Sequence, residues 1–145
     1  MGIHILLCSG DAVVAKQKGE AMKQKKLGLE FIWKIRLRLY AEGKKLRIEG
    51  ERLRVKSKKL HAKANKLWKG DEFCVEGSKL QAEGDEFCAE GDRLCAKSNK
   101  LCAEGDRLWI KAILEVYGNI KLEWIWRVEK ENYACKLETG EIFEP

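Results

Sequence analysis

The sequence predicts a mainly α protein with a small β tail, and three observations carry that reading. Apolar residues recur at sevens through the middle of the chain. Its only proline is the last residue, Pro145, so nothing inside the chain breaks a helix by removing an amide donor. Beyond Gly118 the pattern changes to β-branched and aromatic residues. The expected fold is long heptad-repeat helices, arranged as a coiled coil or an antiparallel helical hairpin, with a C-terminal β-hairpin or meander. The alternative is a β-solenoid of stacked heptads.

Three segments follow: an N-terminal leader or flexible segment at 1–30, a heptad-repeat region at 31–114 with a break near 68–71, and a β tail at 115–145. In the first segment, Lys18-Gly19-Glu20-Ala21-Met22 can be encoded by a purine-rich ribosome-binding sequence just before an ATG. That predicts Met22 as the natural start and residues 1–21 as read-through, the alternative being an ordinary flexible terminus.

The heptad ladder opens each unit with a large apolar residue: Leu39, Leu46, Leu53, Leu60, Leu67, Phe73, Leu80, Phe87, Leu94, Leu101 and Leu108. Four residues on stands a small one, with glycine at Gly43, Gly50, Gly77, Gly84, Gly91 and Gly105 and serine or alanine at Ser57, Ala64 and Ser98. Both rows together form the predicted packing seam, since small residues let backbones approach while the large ones act as knobs. Glycine in a helix costs about 0.5–1 kcal/mol against alanine, so an isolated helix is disfavoured and a packing partner must compensate. In the solenoid alternative, Leu80 and Ala82 would share a strand face and Glu-Gly-Asp would turn. The abundance of Ala, Glu, Lys, Leu and Arg favours helix.

The unit at Leu67 is one residue short, which turns an apolar stripe by about 100°. Charge changes sign at the same place. From Lys34 to Lys69 basic residues dominate, opposed only by Glu42, Glu49 and Glu51; from Gly70 to Leu108 Asp71, Glu72, Glu76, Glu83, Asp85, Glu86, Glu90, Asp92, Glu104 and Asp106 outweigh the cations. Two arrangements use this complementarity: a chain folded back near Gly70, which is favoured, or straight helices from two chains paired antiparallel.

In the tail, Gly118-Asn119 is expected to end the helix. Strands are expected within Ile120–Val128, Tyr133–Leu137 and Ile142–Phe143, with turns at Glu131-Asn132 and Thr139-Gly140. So small a sheet needs support from a helix or a neighbouring subunit.

Composition bounds the function. The chain has 145 residues, a formal net charge of +6 and 36% charged residues. No apolar run approaches the ~20 residues of a membrane span, so no membrane association is expected. The chain lacks the features of an export signal, and cytoplasmic residence with reduced cysteines is the expectation.

Cys74, Cys88, Cys95 and Cys102 share one helical edge, but helix positions seven apart lie about 10 Å apart, too far for one chain to chelate one metal. They read as small apolar residues beside the seam, with disulfides or shared metal ligands across a symmetric interface as the alternative. His4 and His61 stand in unrelated contexts, and the Glu-Gly-Asp units lack the ligand spacing of a calcium loop. No catalytic, cofactor or metal site is expected.

The basic stretch offers possible nucleic-acid contacts at Arg36, Arg38, Arg47, Arg52, Arg54 and Lys58, with Trp33 and Tyr40 near enough in sequence to stack on bases. The competing account is that these charges solvate a helix or pair with the acidic arm.

The L-x-A-E-G-D-K/R ladder, as in Leu80-Gln81-Ala82-Glu83-Gly84-Asp85, resembles small uncharacterised proteins of bacteriophages and prophages. So do Ala112-Ile113-Leu114-Glu115-Val116-Tyr117-Gly118-Asn119-Ile120 and Glu138-Thr139-Gly140-Glu141. The likeness runs from Tyr40 to the end and departs at the short Leu67 unit and in the basic early units. It implies a setting rather than a mechanism. The expected function is a non-enzymatic, self-associating interaction or structural protein forming homo-oligomers. The alternatives are a nucleic-acid-binding protein using the 34–69 arm and an inhibitor of a host defence enzyme acting by protein–protein binding.

Overall fold

The computed structural model describes residues 2–70 and 75–145, with side chains from residue 13 onward apart from those of Ala15, Met22 and Gly70. Phe73, Cys74 and the far end of the predicted break therefore lie outside the described residues, as do the side chains of His4 and Cys8.

Two helices, α1 (Gly2–Gly70) and α2 (Val75–Tyr117), precede a three-stranded antiparallel sheet of β1 (Leu122–Arg127), β2 (Asn132–Leu137) and β3 (Ile142–Phe143), in the order β1-β2-β3. The fold is mainly α, the two long helices pack together, and no solenoid forms. The helix of the first arm starts well before Ile32, where the repeat enters register, and ends at Gly70, where the repeat loses a residue.

The chain divides into two compact units, and each helix contributes to both. One comprises residues 36–106, the helical hairpin; the other comprises residues 1–35 and 107–145 and holds the sheet.

In the hairpin unit the seventh-position small residues meet. A methyl group placed on Gly43 would stand 3.2 Å from the carbonyl oxygen of Ser98, one on Gly50 2.8 Å from that of Gly91, and one on Gly84 3.3 Å from that of Ser57. The positions facing each other descend on α2 as they ascend on α1, so the helices are antiparallel, in one register across several rungs. Gly43, Gly50, Ser57, Ala64, Gly77, Gly84, Gly91, Ser98 and Gly105 are all buried. Close backbone approach, with its dense dispersion contacts, supplies the compensation that the helix-weakening glycines require.

The sheet-bearing unit has a different interior. Leu29 and Trp33 of α1, Trp109 and Ile113 of α2, and Cys135, Leu137 and Phe143 of the sheet are buried together. Trp109 meets Trp33 and Phe143 edge-on, each pair with ring centroids 4.8 Å apart. Such edge contacts add about 0.5–1.5 kcal/mol beyond area burial. Both indoles satisfy their polar atom, Trp33 Nε1 donating to the Glu144 carbonyl at 2.7 Å and Trp109 Nε1 to Cys135 Sγ at 3.4 Å.

The tail folds as its pattern suggests. Gly118, at φ +75°, ends α2 in the left-handed conformation that glycine adopts without a Cβ clash, and its amide donates to the Leu114 carbonyl at 3.0 Å. Register pairs Trp124 with Cys135, Trp126 with Tyr133 and Cys135 with Phe143. Because strand side chains alternate, these residues share one face, through which Trp124, Cys135 and Phe143 meet the helices, while Arg127 and Glu144 pair on the other at 2.6 Å.

Candidate functional site

The heptad divides the hairpin into faces, and residue type follows the division. The small residues occupy the line of closest approach. The large apolar row lies about 60° to one side of it. Leu39, Leu46, Leu53, Leu60, Leu80, Phe87, Leu94, Leu101 and Leu108 are all half-buried, and Leu67 is exposed. The predicted seam is thus two structures: small residues form the contact, and the leucines stand beside it. The reason is distance, since backbones meeting at glycine leave no room between them for a leucine side chain. In antiparallel helices of this register, the leucine rows of α1 and α2 emerge on the same side. They form one apolar face, where Lys56 Nζ lies 5.8 Å from the centre of the Phe87 ring.

On the opposite side of the seam runs a polar ladder. The residues following Leu39, Leu46, Leu53 and Leu60 are Tyr40, Arg47, Arg54 and His61, and each reaches a residue of α2 one position after a buried small residue. Tyr40 donates to Asp106 at 2.8 Å, Arg47 to Asn99 at 3.3 Å and Arg54 to Asp92 at 2.9 Å, while His61 meets Asp85 at 2.9 Å. The rungs repeat at sevens because both helices do. Reciprocally, Cys95 of α2 lies 3.9 Å from Glu51 of α1, and Cys88 and Cys102 occupy the matching places.

At the end of the ladder Arg36 takes a seam position opposite Gly105, nearly fully buried, and its Nε donates to Asp106 at 2.9 Å. Its guanidinium also covers the Tyr40 ring at 4.3 Å. Burial, reinforced by the hydrogen bond to Asp106, pushes the Tyr40 phenol up to about 12. Burial likewise raises the Cys102 thiol, which keeps it protonated and a poor nucleophile.

Of the possible nucleic-acid contacts, Arg36, Arg47 and Arg54 are therefore engaged with α2, whereas Arg38, Arg52 and Lys58 are exposed. The two aromatics named with them are spoken for: Trp33 is in the core of the sheet-bearing unit and Tyr40 is tied to Asp106. The ladder itself was missed by sequence reasoning, though its signal was present. Asp85, Asp92 and Asp106, with Asn99, recur at the same heptad position of the second arm.

Elsewhere, the sheet-bearing unit carries an open cleft of about 600 Å³ lined by Trp126, Arg127, Val128, Glu129, Lys130, Glu144 and Pro145. Its Arg127 and Glu144 are closed on each other, and the guanidinium holds the Glu144 carboxyl below its ordinary range. Among the described residues no three His, Cys, Asp or Glu side chains converge as a metal site, and no helix is long and apolar enough to cross a membrane.

No protein-family model, curated protein or solved structure matches the chain.

Proposed function

We propose that this chain is a non-enzymatic interaction protein that self-associates through the leucine face of its hairpin, in a cytoplasmic phage or prophage setting. The observation that carries the reading is the double row itself. Leucine and phenylalanine recur on both helices over the whole hairpin, yet the fold uses the glycine row for its internal contact and leaves the large residues half-covered. A continuous apolar face of this kind is the usual mark of a protein interface.

Charge favours a second copy as the occupant. The residues bordering the leucines on α1 are Glu42, Glu49, Lys56 and Lys63, and on α2 they are Glu76, Glu83, Glu90, Lys97 and Glu104. Stacking two hairpins face to face, with α1 of one over α2 of the other, sets Lys56 and Lys63 level with Glu83 and Glu76 of the second copy and Glu42 level with its Lys97, against one like-charge pair, Glu49 with Glu90. Such complementarity fixes orientation, with the apolar rows supplying affinity.

Sedimentation equilibrium of the full chain tests the reading. Wild type is expected to be a dimer or larger, and Leu53→Lys with Leu94→Lys a monomer of unchanged helicity. A wild type that stays monomeric at high concentration, or an oligomer indifferent to both lysines, defeats it.

A further inference from the structure

Among the described residues, folding leaves one row of cations on α1 without a carboxylate from α2. Arg38, Lys45, Arg52, Lys59 and Lys66 recur at sevens and are all exposed. Each follows a buried seam position by two residues, about 200° around the helix, so the row lies almost opposite the seam. It runs for about 42 Å. The places between the row and the leucine face are Glu42, Glu49, Lys56 and Lys63, so positive charge on this side is densest from Arg52 to Lys66. The described aspartates of the acidic arm are engaged elsewhere, with Asp106 on Arg36, Asp92 on Arg54 and Asp85 on His61. Internal neutralisation thus takes the seam-side cations and spares this row. The row stands about 100° from the leucine face, so self-association does not cover it.

We infer that this row binds the phosphate backbone of duplex nucleic acid without reading its bases. Cations alone contact phosphates and set position, whereas sequence is read by groups that reach base edges. The row contains neither amides nor aromatics. Affinity for single strands draws on bases stacking against aromatic side chains. Between the ends of the row the one such aromatic is Tyr40, held by its hydrogen bond to Asp106, while exposed Phe31 and Trp68 lie beyond the ends. A duplex is also stiff over about 150 bp, so docking on a fixed row of charges orders it less than it would a flexible single strand.

Fluorescence anisotropy with a labelled DNA duplex longer than the row, titrated with the full chain between about 50 and 200 mM salt, tests this. Wild type is expected to bind duplexes of unrelated sequence alike, with affinity falling steeply as salt rises. Arg52→Gln/Lys59→Gln/Lys66→Gln should flatten the log–log salt slope by about 2.7, at ~0.9 per lost phosphate contact. Lys111→Gln/Lys121→Gln/Lys136→Gln removes the same charge from exposed positions of the other unit and should leave the slope nearly unchanged. Helicity of both variants, read by circular dichroism, should match wild type because all six positions are exposed. Absence of duplex binding at the lowest salt, equal flattening by both variants, tighter binding to oligo(dT) than to duplex, or capture by phosphatidylserine vesicles in place of duplex would each overturn the inference.

Discussion

The two units solve the same problem, holding α1 to α2, by opposite means. In the sheet-bearing unit large side chains fill the space between elements, and Trp33, Trp109 and Phe143 lock edge to face. In the hairpin unit side chains are withdrawn from the contact, and backbones meet at Gly50 and Gly91. The first strategy consumes its apolar residues in a core. The second leaves them at the margin, which is why one region is a closed aromatic core and the other a surface with apolar residues to spare.

Trp109→Ala empties a fully buried site ringed by aromatics and should cost about 3–5 kcal/mol, read by urea unfolding. Next comes a contrast of sign among glycines. Gly50→Ala and Gly91→Ala each drive a methyl into an opposing carbonyl, at 2.8 and 2.7 Å, and should destabilise by about 1–3 kcal/mol despite alanine's better propensity. Gly28→Ala meets nothing within 4 Å and should stabilise by about 0.5–1 kcal/mol. If alanine stabilises at all three, close approach is not what holds the hairpin.

A smaller effect sharpens the account of the seam. Ser98 is buried at a position where other rungs have glycine, and its hydroxyl finds no partner among the described residues. Ser98→Ala should therefore be neutral or stabilising by up to about 1 kcal/mol, as leaving a buried hydroxyl unsatisfied costs free energy.

Alkaline pH probes both units. Tyr40 is pushed up to about 12 chiefly by burial, and Tyr117 to about 12 chiefly by its hydrogen bond to Glu141. Each folded-state value lies above the ordinary 10, so the folded state holds the proton more tightly. The resulting stability is fully present below pH 10 and is lost as pH rises through 12. Tyr40→Phe and Tyr117→Phe should each flatten the decline between those limits, measured as denaturation midpoint against pH.

Much of this was legible in the sequence. The sevenfold period, the absence of internal proline and the glycine at 118 yield the helices, their end and the meander that follows. Opposite charge on the two arms points to the antiparallel hairpin, and Arg36–Asp106 and Arg54–Asp92 are pairs of that kind. What the period does not disclose is which of two rows sharing it lies at the contact. Leucine and glycine recur with the same spacing, and only the distance between helix axes decides between a knob and a touching backbone. The aromatic core was hidden for another reason. Trp33 and Trp109 occupy the heptad position held elsewhere by Tyr40, Arg47, Cys95 or Cys102, so the repeat marks them as ladder residues until the sheet is known to cover them.

In the hairpin, α1 lies antiparallel on α2 of its own chain, in the register set by the small residues. Cys95 stands beside Glu51, so Glu51→Cys, with the remaining cysteines replaced by serine, places two thiols at adjoining positions. Mild oxidation at high dilution should produce a crosslinked chain of monomer mass, while a cysteine at exposed Ala62 should leave Cys95 unpaired within its chain. Crosslinks that join two chains only, or none from position 51, would contradict it.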